Sequence, residues 1–351
     1  MNYLNGTGFR PWGKWHIKPI RINLHWKRWG NLLRRSMNHF SRILVISMNY
    51  FGDILMTLPL CTSIKKAWPH ARVAYCIGNK GAGITGLTEG VDFWIFRGKK
   101  DSFFSKNRLI REIRSFAPDT VILIRQSPYT EALATAASPK RILGHSDISE
   151  GIKQHVTEKS LSFAKVLGIP PIKEVLFKKE LFAVEGEAIP VLFFPGTTRP
   201  SKMWPIDHWL QLGERLWKEK GILPVFAGSR SDMPLSKSLK RAKFPYKDLI
   251  GKTSLKELTA LLERTEAVVT VDNGAMHLAD FLHKKVIALF GSTDPFLVGP
   301  VHKEAETIGP RGECIKCGKK RCMRRRFYCM AQLTVDEVQN TLFQALENRC
   351  H

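Results

Sequence analysis

The sequence predicts an α/β fold of two doubly wound, parallel-sheet domains facing a central cleft, on three observations. From residue 41 onward, short β-rich apolar runs alternate with helical patterns. The alternation occurs twice, and "GIPPIKEVLF" at 168–177, whose paired prolines end a helix, lies between the two series. The first run crowds Val, Ile and Leu into 43–46, as a strand covered on both faces requires.

In the first half the expected strands are 42–47, 72–77, 92–96 and 120–124, with helical patterns at 53–67, 107–116 and 150–167. In the second half strands are expected at 191–194, 222–227, 267–271 and 286–290. Pro205 suits a first helical turn, with Ile206, Trp209, Gly213 and Leu216 on one face. Ser254 and Glu257 form a capping-box pattern before Leu258, Leu261 and Leu262, and Thr334 and Glu337 repeat it before Val335, Val338, Leu342 and Ala345. The expected organisation is a basic extension (1–40), an N-terminal domain (41–185), a C-terminal domain (186–333) carrying a Cys-rich basic loop at 314–329, and a final helix (334–351).

Composition narrows the partners. No apolar run approaches the roughly 18 to 20 residues that cross a bilayer. Lys and Arg number 55 against 31 Asp and Glu, and the net charge of +24 points to a polyanionic partner or surface. Asp and Glu are absent from 1–52, where Arg10, Lys14, Lys18, Arg21, Lys27, Arg28, Arg34, Arg35 and Arg42 mingle with Trp12, Trp15, Trp26 and Trp29. Indoles settle at headgroup level while cations attract anionic lipid, so an arm lying on an anionic membrane is one reading. A basic aromatic arm without that role and a targeting sequence are the others. Seven cysteines, an odd number with no cleavable signal pattern, suggest a reducing compartment, the cytoplasm.

Three strand-to-helix junctions carry candidate chemistry. In "ISMNYFGDILMTLP", Gly52 is expected to permit a tight turn, and Asp53 sits near the helix start either as a cap or as a base at the cleft mouth. In "VLFFPGTTRPSKMWPIDHW", Thr197, Thr198 and Lys202 offer the hydroxyls and the cation that a phosphate needs. In "AVVTVDNGAMHLADFLHKKVIALFGSTDP", Asp272 ends a β-branched run and Gly274 allows close backbone approach. His277 lies near the first turn, where amides favour an anion.

Together "GDILMTLPL", "PGTTRPSKMWP", "DNGAMHLA" and "ALFGSTDP" resemble, in order, glycosyltransferase family 9, the bacterial heptosyltransferases of the lipopolysaccharide inner core. The resemblance runs from about Arg42 to about Asn348, and the tail "CIKCGKKRCMRRRFYCMAQLTVDEV" looks like the heptosyltransferase II branch. It implies a GT-B fold of two Rossmann-like domains, the first for the acceptor and the second for an ADP-heptose donor. By motif position it implies Asp53 as catalytic base. It implies Thr197, Thr198 and Lys202 around the donor diphosphate, and Asp272, Asn273, Gly274, Ala275 and His277 at the nucleotide and phosphate turn. Gly228 and Ser229 in "VFAGSRSD" match the nucleoside region more loosely, and Arg125 and Tyr129 in "ILIRQSPYTEALA" are candidates for the acceptor. The resemblance further implies a cytoplasmic protein peripheral to the inner membrane, a lipid A-linked core acceptor, and no required cofactor. The chain has no Asp-x-Asp motif to suggest a metal-bridged diphosphate.

Other readings stand beside this one. Cys314, Cys317, Cys322 and Cys329 have the C-x2-C-x4-C-x6-C spacing of a compact zinc site, with reduced thiols in a basic loop as the default. A basic zinc knuckle could bind nucleic acid, but stacking aromatics are limited to Phe327 and Tyr328, so no nucleic acid is expected. "GNKGAG" has the wrong spacing for a dinucleotide fingerprint, which argues against an oxidoreductase. A family member using another nucleotide sugar or glycan acceptor, and a non-catalytic membrane-binding protein, complete the alternatives.

Overall fold

The computed structural model describes residues 41–47, 50–98, 103–148, 153–182, 186–311, 316–322 and 328–347. The basic extension 1–40 and Cys314 lie outside the described residues.

The first sheet holds five strands: β1 (Arg42–Ile46), β2 (Arg72–Gly78), β3 (Phe93–Arg97), β4 (Thr120–Leu123) and β5 (Arg141–Leu143). Their order is β3-β2-β1-β4-β5, and every pairing is parallel. The second holds β6 (Ile189–Phe194), β7 (Val225–Gly228), β8 (Lys247–Ile250), β9 (Thr265–Val271), β10 (Lys285–Leu289) and β11 (Ala305–Ile308). Their order is β11-β10-β9-β6-β7-β8, again wholly parallel. Each sheet therefore starts at its centre and winds outward in both directions. The two switch points, β1/β4 and β6/β9, are where open α/β sheets leave a crevice at their carboxyl ends.

Sequence and structure differ where local chemistry intervenes. The helix expected over 53–67 is two, Phe51–Leu55 and Leu58–Ala67. Pro59 lies in the first turn of the second helix, where it lacks an N–H and would clash with the Leu55 carbonyl of a continuous helix. The strand expected from 222 begins only at Val225, after Pro224. The helix expected over 150–167 spans Val156–Val166, with the His155 side chain accepting from Thr157 N; residues 149–152 lie outside the described residues. Strands β5, β8 and β11 were not expected. They have at most one buried residue each, so they lack an apolar run.

Two cores result. Leu44, Ile46, Ala74, Cys76, Val121 and Leu123 centre the first. Val191, Phe193, Trp204, Trp209, Phe226, Val269 and Leu289 centre the second. The helix Val335–Glu347 closes the second core with Val335, Val338 and Leu342, and Trp204 Nε1 donates to Leu333 O at 2.9 Å. Each such side chain contributes about 1.5–3 kcal/mol by burial. Among the described residues no helix is long and apolar enough to cross a membrane.

Candidate active site

The β1/β4 switch point presents Asp53 and Arg125. Asp53 occupies the third position of Phe51–Leu55, whose N-cap is Tyr50, so it is a first-turn acid and not the cap that the sequence also allowed. It stands over buried hydroxyls: Thr57 Oγ1 donates to Ile54 O at 2.9 Å and contacts the Tyr75 hydroxyl. Burial raises the Asp53 pKa above the ordinary carboxylate value. Lys202 opposes the rise, Asp272 reinforces it, and Arg199 and Arg125 oppose it more weakly. Four charged groups from both sheets thus act on one carboxylate.

The β6/β9 switch point supplies the polar loops. Lys202, in the short 3-10 turn Pro200–Lys202, places Nζ 2.6 Å from Asp272 Oδ2, and both side chains are largely buried. Thr293 Oγ1 donates to the same carboxylate oxygen at 2.5 Å. Asn273 caps the helix Gly274–Phe281: Oδ1 accepts from Met276 N at 3.0 Å, and Nδ2 donates to Gly196 O at 2.8 Å. The cap locks the two loops together and holds the helix N-terminus, with its partial positive charge, beside Lys202. Thr197 lies in the same frame, its Oγ1 3.5 Å from Asp272 O, and Thr198 is exposed on the rim.

The two halves touch where both have glycine. A Cβ on Gly52 would fall 2.8 Å from His277 Cδ2, and one on Gly274 would fall 2.7 Å from Phe51 Cδ1. Gly52 lies inside a helix and is absent from the positive-φ glycines, so close approach, rather than the expected tight turn, explains the residue. His277 is buried beneath this contact rather than open to a ligand. It is 3% exposed, its Nδ1 has no hydrogen-bond partner, and burial pushes its pKa down to about 4.

Gly228 ends β7 and Ser229 follows it, its N donating to Asp232 Oδ2 at 2.8 Å. Gly196 leaves room for that same carboxylate, which an added Cβ would meet at 2.2 Å. Ala275 is half-buried in the first turn after Asn273. Arg125 is exposed at the mouth. Tyr129 packs against the first core, with the Arg97 guanidinium 5.2 Å above its ring. Of the cysteines, Cys317 is exposed, Cys322 half-buried and Cys329 buried in the second core.

Sequence reasoning assigned no role to Arg199, Thr293 or Ser201. Ser201 Oγ contacts Ser292 Oγ at 2.9 Å and donates to Lys319 O at 2.6 Å, while Gly318 N donates to Ser292 O at 2.6 Å. These bonds tie Gly318 and Lys319 to the rim of the site. The hydroxyls of "GSTDP" after β10 were the available signal.

Residues 149–327, just over half of the chain, match glycosyltransferase family 9 (heptosyltransferase). The chain is 29% identical over 223 residues to lipooligosaccharide heptosyltransferase 2 of Haemophilus influenzae, an alignment covering 61% of this chain and 60% of that one. It is 27% identical over 288 residues to lipopolysaccharide heptosyltransferase 1 of Salmonella typhimurium, covering 74% and 90%. A family 9 glycosyl transferase from Veillonella parvula superposes with a TM-score of 0.76 at 20% identity, over 88% of this chain and 98% of that one. Escherichia coli heptosyltransferase WaaC with ADP superposes with a TM-score of 0.68 at 21% identity, over 87% and 99%. The fold is accordingly of GT-B type, and the chain belongs to glycosyltransferase family 9, a family of sugar-transferring enzymes.

Proposed function

We propose that the protein transfers a heptose from ADP-heptose to the inner core of lipopolysaccharide, by direct displacement with inversion. The observation that carries this reading is Asp53, a half-buried carboxylate of raised pKa in the joint field of Lys202, Asp272, Arg199 and Arg125. The acceptor hydroxyl attacks the anomeric carbon, and the bond from that carbon to the diphosphate oxygen breaks, ADP leaving with the electron pair. Asp53 takes the hydroxyl proton late in an oxocarbenium-like transition state. Lys202, held by Asp272, and the amides at the start of Gly274–Phe281 stabilise the charge growing on the diphosphate, with Thr197 and Thr198 on its rim. Gly228 and Ser229 face the nucleoside, and Arg125 meets acceptor phosphate at the mouth. The names of the relatives and the ADP in a neighbouring structure support this donor and acceptor class.

Incubation with ADP-heptose and heptose-deficient lipopolysaccharide, following ADP release, tests the reading against Asp53→Ala. Equal rates for wild type and variant on every acceptor would sink it. In the same reading the basic extension holds the protein on the anionic inner face of the membrane. Equal pelleting with anionic vesicles by the full chain and by a chain starting at Ser41 would remove that role.

A further inference from the structure

At the other end of Gly274–Phe281, about 12 Å along the helix at 1.5 Å per residue, three metal-binding side chains converge outside the transferase site. Glu174, His283 and His302 each offer one ligand atom, and these atoms all lie within 4.8 Å of one another. Glu174 Oε2 is 2.8 Å from His283 Nε2, its Oε1 is 3.7 Å from His302 Nε2, and the two imidazole centroids are 4.3 Å apart. His302 is the informative member. Its Nδ1 lies 3.2 Å from Asp280 Oδ1, and that carboxylate is itself fixed by Val301 N at 2.8 Å and His302 N at 3.1 Å. An Nδ1–H donated to Asp280 leaves the lone pair on Nε2. That atom is buried without a hydrogen-bond partner, in a side chain 10% exposed, and it points at the cluster. A carboxylate behind one imidazole nitrogen and an unsatisfied second nitrogen in front is how a protein orients a metal-ligating histidine.

The backbone of His283 adds to this. Its φ is 54°, and the bonds His283 N to Asp280 O and Lys284 N to Ala279 O make a helix-ending turn at which glycine is the usual residue. An imidazole is placed there in spite of the backbone preference.

We propose that Glu174, His283 and His302 form a site for a divalent transition-metal ion of the zinc class, with Asp280 orienting His302 from behind. Two imidazoles and one carboxylate are a borderline-soft donor set that suits zinc rather than magnesium or calcium. The site is structural. Glu174 belongs to the segment joining the two sheets, and that segment is tied to the first one through Leu176 N to Thr62 Oγ1 at 3.3 Å and Glu89 N to Leu176 O at 2.8 Å. His283 and His302 belong to the second. A bound ion bridges the halves behind the cleft, and because it binds only the folded arrangement it stabilises that arrangement.

The full chain with Cys314→Ser, Cys317→Ser and Cys322→Ser removes competing thiolates of the basic loop. Chelator-treated protein of this kind is titrated with zinc by calorimetry and with cobalt by absorption, and its melting temperature is recorded with and without zinc. One equivalent should bind, with a cobalt spectrum lacking a thiolate charge-transfer band and with a rise in melting temperature. Glu174→Gln and His283→Ala, both at half-exposed positions, should each weaken binding at least about tenfold while leaving the metal-free melting temperature within a few degrees. Absence of binding in this triple-serine background overturns the site, as does affinity unchanged by both substitutions.

Discussion

Gly52 and Gly274, more than two hundred residues apart in sequence, form the contact between the two halves of the cleft: Gly52 N would lie 3.6 Å from a Cβ on Gly274. Only a hydrogen on each Cα lets the helix Phe51–Leu55 rest on the N-terminus of Gly274–Phe281. The neighbour of Gly52 is Asp53, so the contact that sets the spacing of the halves also sets the proposed base relative to the loops around Lys202 and Asp272. Gly52→Ala meets the His277 ring at 2.8 Å, tighter than packed atoms tolerate, and the ring is buried and cannot swing away. We expect kcat to fall by about 10²-fold, the effect of displacing the proposed base by roughly 1 Å, and the fold to lose about 1–3 kcal/mol to overpacking. Steady-state ADP release beside a denaturant melt checks this.

Asp53→Asn separates catalysis from stability. Burial raises the Asp53 pKa, so the folded chain holds its proton more tightly than the unfolded chain does. The resulting stability is full below the ordinary carboxylate pKa and is lost as pH rises through the raised one. At neutral pH the charged Asp53 is therefore a burden on folding, and the amide relieves it. The variant should melt at a higher temperature at pH 7 and lose about 10²–10⁴-fold in kcat. In the wild type, kcat/KM should fall with decreasing pH through the raised pKa of Asp53. A variant that melts lower than the wild type at pH 7 would contradict the burial argument.

Asp53 and the two polar loops were legible because each sits where an apolar strand meets a helix, and that junction is a local feature of sequence. The function of Gly52 was not, because its partner is His277, a contact made only when the halves come together. A glycine before a helix reads locally as a turn. Thr293 and Arg199 escaped for a related reason: a threonine or arginine in a loop carries no periodic signal, and only the Asp272 carboxylate and the field at Asp53 single them out. The central strands β1 and β6 announced themselves through apolar runs and β9 through a β-branched one. The outer strands β5, β8 and β11 are half-solvated, and their pairing partners rather than their own residues make them strands.

The ion pair of Lys202 and Asp272 makes a double-substitution test decisive. Removing Lys202 alone leaves the Asp272 carboxylate, 6% exposed, with the Thr293 hydroxyl as its hydrogen-bond donor among the described residues. Lys202→Met should cost about 3 kcal/mol of stability for stranding a buried charge. Adding Asp272→Asn removes the stranded charge, so the double variant should recover most of the stability. Activity should behave differently. If Lys202 stabilises the departing diphosphate, both variants lose about 10²–10³-fold in kcat, and the second substitution rescues nothing. Recovery of activity together with stability would reduce Lys202 to a structural partner of Asp272.

His277 predicts the acid limit of the fold. Burial pushes its pKa down to about 4 from an ordinary 6.5, so the folded chain binds a proton there less readily than the unfolded chain. The sign is that of a depressed group: the neutral ring is compatible with the fold above about pH 6.5, and stability drains away as pH falls toward 4. The separation corresponds to about 3 kcal/mol across that window. His277→Leu removes the titration and keeps an apolar side chain beneath Gly52. Urea melts at pH 7.5 and pH 5 should show the wild type losing more stability between the two than the variant does, since the carboxylates common to both cancel in the difference. Equal losses would mean that the imidazole acquires a proton and a partner without opening the contact at Gly52.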